Sequence, residues 1–206
     1  MADIEQNGGR SRADLLERVA LMEEMIAEGR RTTGRYGWIF VTWGLVYVVA
    51  TLWATYLPRG GWAWPVCIAI ACVVVYAVRR RGVCSPPGSR TRNIQAVWSA
   101  LGITVTGFVV STIVAHQAGN PAYVAAIFFF IGMGHGASGM ILRWPVQISV
   151  AILWWACGAA SLFMKSGEHV MWVFLGASVF GMIFFGIYAM AKESQRAKVQ
   201  REERHA

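Results

Sequence analysis

Long runs without a single Asp, Glu, Lys or Arg alternate with short polar breaks along this chain. Six such runs occur: Gly37–Leu57, Trp62–Val78, Ile94–Ala115, Pro121–Leu142, Pro145–Met164 and Val170–Ala191. Each holds 17 to 22 residues. At a rise of about 1.5 Å per residue, a helix of that length crosses the roughly 30 Å hydrocarbon core of a bilayer. Backbone amides in lipid have no water to bond, so each run is predicted to be a helix. A membrane β-barrel would need ten-residue segments alternating between apolar and polar, and these runs do not alternate.

The breaks fit turns. Pro58-Arg59-Gly60-Gly61, Gly119-Asn120-Pro121 and Lys165-Ser166-Gly167 each close a hairpin, and Arg143-Trp144-Pro145 joins the fourth and fifth runs tightly. Pro121 and Pro145 suit a first helical turn, where no amide bond is lost. The predicted fold is therefore all-α and polytopic: six transmembrane helices, residues 37–191, arranged as three antiparallel hairpins. The first helix of each hairpin carries an aromatic residue four positions before a glycine, as Phe40/Gly44, Trp98/Gly102 and Trp154/Gly158. This points to a weak threefold tandem repeat. No residue pattern supports an inverted repeat of the transporter kind.

Before the membrane region the period changes. Residues 1–10 read as a disordered start and residues 11–29 as a helix. Ser11 and Asp14 have the spacing of a capping box, and Gly29 fits a stop. Leu15, Val19, Met22 and Ile26 make one apolar seam. The polar face is acidic: Asp14, Glu17, Glu23, Glu24 and Glu28 stand against Arg18 alone. An anionic leaflet would repel it, so the seam is expected to contact protein rather than lie on lipid. A second copy, another protein, the basic tail or the Arg79–Arg92 loop would each serve as partner.

Composition sharpens the class. Of 206 residues 56% are hydrophobic and 15% charged, against about 25% charged in a soluble domain. The net charge is +8. Its placement matters more than its size, because only Arg59 and Lys165 among the 19 Lys and Arg lie on one side of the six runs. The positive-inside rule then puts both termini, including the basic tail 192–206, in the cytoplasm of a cell (inner or plasma) membrane. The basic excess thus reads as a topology signal, with no nucleic-acid partner. Residues 1–36 carry seven acidic groups and no apolar core, so they resemble neither a secretory signal nor a transit peptide.

Inside the runs one ionisable residue stands out. His135 sits in Gly132-Met-Gly-His-Gly-Ala-Ser-Gly139, a glycine-dense stretch of the fourth run. Intramembrane ionisable groups are functional suspects by default, while a neutral imidazole bonded to a neighbouring helix is the commoner arrangement. His135, Ser138, Gly132, Gly136 and Gly139 form the candidate polar site. A haem there would need a second axial ligand at equal depth, and His116 and His169 lie at the opposite boundary. His116, Glu168 and His169 form a weaker candidate set at that outer face. Cys67, Cys72 and Cys157 read as small hydrophobes and Cys84 as a free thiol. No cofactor or metal is expected.

No span contains a carboxylate or an arginine, and the chain has no K⁺-filter sequence, GxSxG, HExxH or phosphate-binding loop. Thr104, Thr106, Ser111, Thr112 and Ser161 would line a polar path or bond back to their own helices. The expected function is that of a non-enzymatic accessory or regulatory membrane protein, docking a partner or itself through Leu15, Val19, Met22 and Ile26. The alternative is passive passage of a small neutral or lipid-like solute beside His135.

Overall fold

The computed structural model describes residues 2–80, 89–116 and 121–205. Among these residues the chain is helical throughout, with no strand. The elements are α1 (Ala2–Arg35), α2 (Gly37–Tyr56), a 3-10 turn (Gly60–Trp62), α3 (Ala63–Arg80), α4 (Ser89–Val114), α5 (Pro121–Ile141), α6 (Pro145–Ser161) and α7 (Gly167–Ser178). A π-helical segment (Val179–Phe184) leads from α7 into α8 (Phe185–His205). Five segments are long and apolar enough to cross a membrane: Gly37–Tyr56, Gly60–Val78, Asn93–Val114, Ala122–Ile141 and the apolar part of Gly167–Val199. The chain is accordingly a membrane protein. The fifth predicted run forms a shorter apolar helix, α6, of 17 residues.

Glycines decide which helices approach. Along α5 and α6, Gly158 meets Phe128, Gly132 and Gly136 meet Trp155, and Gly139 meets Ile148. Gly37 of α2 and Gly186 of α8 face one another. A Cβ on either would lie 2.6 Å from the other's carbonyl oxygen. Only hydrogen fits there, so the two backbones touch. Gly44 continues that seam against Met182 and Ile183. The tandem repeat does not extend to packing: Gly44 and Gly158 are crowded, whereas Gly102 has nothing within 4 Å.

The buried centre is aromatic, built from Phe128, Trp144, Trp154, Phe174 and Phe185 with Ile131, Leu142 and Met182. It lies among α2, α5, α6 and the α7–α8 helix. α3 packs mainly on α2 and α4 mainly on α5. Only 6% of the apolar window of α4 is buried inside the chain, and Ile103, Val110, Ile113 and Val114 point outward.

α1 departs from its predicted bounds. It is helical from Ala2 to Arg35, so Gly29 is no stop. Its missing side chain admits Leu142, whose Cδ2 would lie 2.5 Å from a Cβ at that position. Ser11 and Asp14 fall inside the helix. The next residue, Arg30, donates its Nε to the carbonyl of Leu142 at 2.9 Å and its Nη2 to that of Arg143. The C-terminal carbonyls of a helix carry partial negative charge. The guanidinium therefore ties the foot of α1 to the end of α5.

That end is itself specialised. Trp144 donates its N–H to Gly139 and Arg143 to Met140, the paired pattern of a Schellman turn. Arg143 occupies the left-handed position at φ 48°, where glycine is usual and another residue costs about 1–2 kcal/mol. Pro145 then opens α6 at its first turn.

Two outcomes follow for thermal unfolding of the protein in detergent. Gly37→Ala and Gly186→Ala should each lose about 1–3 kcal/mol by forcing backbones apart, while Gly102→Ala should be neutral or gain up to about 1 kcal/mol of helix propensity. Arg143→Gly should gain about 1–2 kcal/mol from relief of backbone strain, because the carbonyl that Arg30 uses is retained.

Candidate functional site

His135 is fully buried in the third quarter of α5. The glycine stripe Gly132, Gly136 and Gly139 turns toward α6, and the imidazole, to one side of that stripe on the helix surface, enters a cage drawn from three further helices. Phe40 of α2 lies 5.4 Å from it between centroids, Trp98 of α4 5.2 Å and Phe185 of α8 5.4 Å. The last two meet the ring edge to face, the arrangement that aromatic quadrupoles favour. Gly134 makes the room for Trp98, since a Cβ there would press on the indole and on Leu101.

The fourth wall is the π-helical segment. Its Met182 places Sδ 3.4 Å from His135 Nε2. Neighbouring Gly181 admits the indole of Trp154. A π segment inserts one extra residue into a helix turn and recurs at functional sites. Here it turns Met182 toward the imidazole while Gly181 receives the indole on the α6 side.

Several polar atoms of this region have no hydrogen-bond partner. They are His135 Nδ1, Ser138 Oγ, both amide atoms of Gln147, and the indole nitrogens of Trp98 and Trp154. Ser138 lies one turn after His135, and Gln147 in the first turn of α6; both are fully buried. Buried polar groups are ordinarily paired, and leaving one unpaired costs about 1–3 kcal/mol. Trp98 touches the imidazole and Ser138 follows it by one turn, so these unpaired groups mark this as the chemically distinctive part of the bundle.

The other candidates separate. Thr104, Thr106, Thr112 and Ser161 each bond to a carbonyl of their own helix. His116, Glu168 and His169 are all exposed, and among the described residues no cluster of three His, Cys, Asp or Glu side chains could hold a metal. Met133 and Met140 face outward. Cys67, Cys72 and Cys157 are free thiols, and Cys84 lies outside the described residues.

A second feature lies at the basic end, where Arg30, Arg143 and Lys192 gather. The stripe of α1 that begins with Leu15, Val19, Met22 and Ile26 continues through Gly29 and Thr33 at the same helical spacing. Its lower end is buried on the bundle and its upper end is not: Leu15 is 59% exposed, Val19 46% and Met22 45%, against 7% for Thr33. Between them a wedge of about 280 Å³ opens, lined by Val19, Met22, Glu23, Ile26, Ile141 and Arg143. Leu16, Leu21 and Met25 add further exposed apolar surface on α1.

The sequence pattern reaches the imidazole and the seam but not what surrounds them. Met182, Phe185, Arg30 and Trp144 carry the geometry. Gly181 and Gly186 bracketing Met182 were the available signal for close packing at that depth. Ser138→Ala and Gln147→Leu remove unpaired buried groups, so each should raise stability in thermal unfolding by about 1–3 kcal/mol. A loss instead would show that these atoms hold a partner. No protein-family model, no curated protein and no solved structure matches the chain, so this reading of the site stands on its residues alone.

Proposed function

We propose that the chain is a multi-pass integral protein of the cell (inner or plasma) membrane that acts without enzymatic chemistry, as an accessory or regulatory subunit. It docks a protein partner, a second copy being the simplest, through the upper half of α1. In this reading α6 is the sixth span, completing three hairpins, and both termini face the cytoplasm. The observation that carries it is the half-exposed apolar seam Leu15, Val19 and Met22 above a wedge that the described residues leave open; residues 81–88 of the Arg79–Arg92 loop lie outside them. Exposed apolar surface of this kind, rimmed by polar residues, ordinarily marks a contact surface. The acidic face of α1 argues against a resting place on anionic lipid. Membrane tethering raises effective concentration, which offsets the shortness of the seam.

A second reading is favoured by the unpaired polar atoms around His135 and by the π segment beside it. There the bundle passes a small neutral or lipid-like solute, with His135 as its polar contact. The self-bonded threonines of α4 support the docking reading over this one.

For docking, a Val19→Cys variant in native membranes should form a disulfide-linked dimer or cross-link to a co-purifying protein. Removal of residues 1–29 should abolish the association. Neither product, together with an unchanged oligomer size after truncation, would exclude it. For the second reading, proteoliposomes of the wild type should show solute flux above protein-free vesicles, lost in His135→Ala.

A further inference from the structure

Where the foot of α1 crosses α8, a small surface notch of about 20 Å³ is lined by Arg30, Trp144, Ala189, Lys192, Glu193 and Arg196, so a larger ligand would meet its charged rim. Three cations and one carboxylate give it a net charge of +2. Its depth is set by the sequence. The apolar runs Pro121–Leu142 and Val170–Ala191 end immediately before Arg143 and Lys192. The cleft therefore sits where hydrocarbon gives way to headgroups, with the Trp144 indole in its wall.

Two of the three cations are held rather than loose. Arg30 spends two of its five N–H donors on the carbonyls of Leu142 and Arg143, so its guanidinium is fixed and three donors remain. Lys192 Nζ donates to Tyr188 Oη at 3.2 Å and lies 5.5 Å from that ring's centroid, keeping two N–H groups. Arg196 stands one turn further along the same face of α8. Glu193 packs its stem on Gly34 of α1 and neutralises only one of the three. Like charges gathered at a low-dielectric boundary raise the local potential and call for an anion.

We infer that this cleft binds a phosphate oxyanion, presented by the phosphodiester headgroup of an anionic phospholipid, which bridges α1 to α8. Basic pockets between membrane helices bind such headgroups elsewhere. The inference is independent of what docks on the upper part of α1. It also accounts for the change of charge near the foot of that helix: Arg30, Arg31 and Arg35 follow a stretch in which Asp14, Glu17, Glu23, Glu24 and Glu28 stand against Arg18.

The test uses the full chain, purified in a neutral detergent and offered phosphatidylglycerol, phosphatidylcholine or inorganic phosphate. Native mass spectrometry counts retained lipid and thermal unfolding reports stabilisation. The wild type should retain phosphatidylglycerol in preference to phosphatidylcholine. Lys192→Gln and Arg196→Gln should each weaken that preference about fivefold, and the pair together should erase it. Lys192→Arg and the nearby control Lys198→Gln should keep it. Both replaced side chains lie at the surface end of α8, and unchanged helical circular dichroism would confirm that the variants fold. Equal retention of the two lipids, or a preference that survives the double variant, would overturn the inference. Inorganic phosphate stabilising the protein as well as phosphatidylglycerol would assign the cleft to a soluble anion and overturn the lipid.

Discussion

Hydrocarbon offers no partner to a charge or to an unpaired amide, and every feature of this chain follows from that constraint. The thirty charged residues are excluded from six apolar runs, so the backbone in those runs must satisfy itself as helix. Within lipid, helices gain little from the hydrophobic effect on meeting one another; contact and fit must hold them. The glycines supply the fit. Gly37 against Gly186, and Gly132, Gly136 and Gly139 against α6, let backbones and large aromatic rings approach closely enough for dispersion to accumulate over many atoms.

The same constraint makes the environment of His135 unusual. An imidazole in such surroundings is expected to find a hydroxyl or carbonyl, and here it finds three aromatic rings and a thioether. Ser138 and Gln147, which could have paired with their surroundings, are buried without a bond. Polarity is therefore stored at this level of the bundle. The two functional readings draw on different parts of one molecule: the unpaired atoms around His135, and the half-exposed seam of α1.

Much of the architecture was legible in the order of residues, because absence of charge over about twenty positions has one structural solution in lipid. The breaks between helices at Gly60 and Ser166 were legible for the same reason. Contacts were harder. The glycine before Arg30 looked like a terminator, since local rules weigh conformational freedom and cannot see Leu142 approaching from more than a hundred residues away. The seam Leu15–Ile26 was visible by its period. Its division into a seated lower part and an open upper part was not, because that depends on where α5 ends. The π segment left no periodic trace, one extra residue in a turn being too small a change of pattern among uniformly apolar side chains. Even the aromatic–glycine repeat was an incomplete guide: Phe40 and Trp98 meet at the imidazole, while Trp154 packs on Phe128 instead.

The seating of α1 by its lowest turns has a mechanical consequence. From Arg30 to its beginning the helix extends roughly 40 Å at about 1.5 Å per residue, and close contacts to other helices lie at Gly29, Arg30 and Gly34. Such a rod is a lever with its fulcrum at the end of α5. Rotation by about ten degrees there would sweep its tip through roughly 7 Å, using the helical rise to set the arm length. Small adjustments among the packed helices would thereby become displacements as wide as a side chain at the far end of α1.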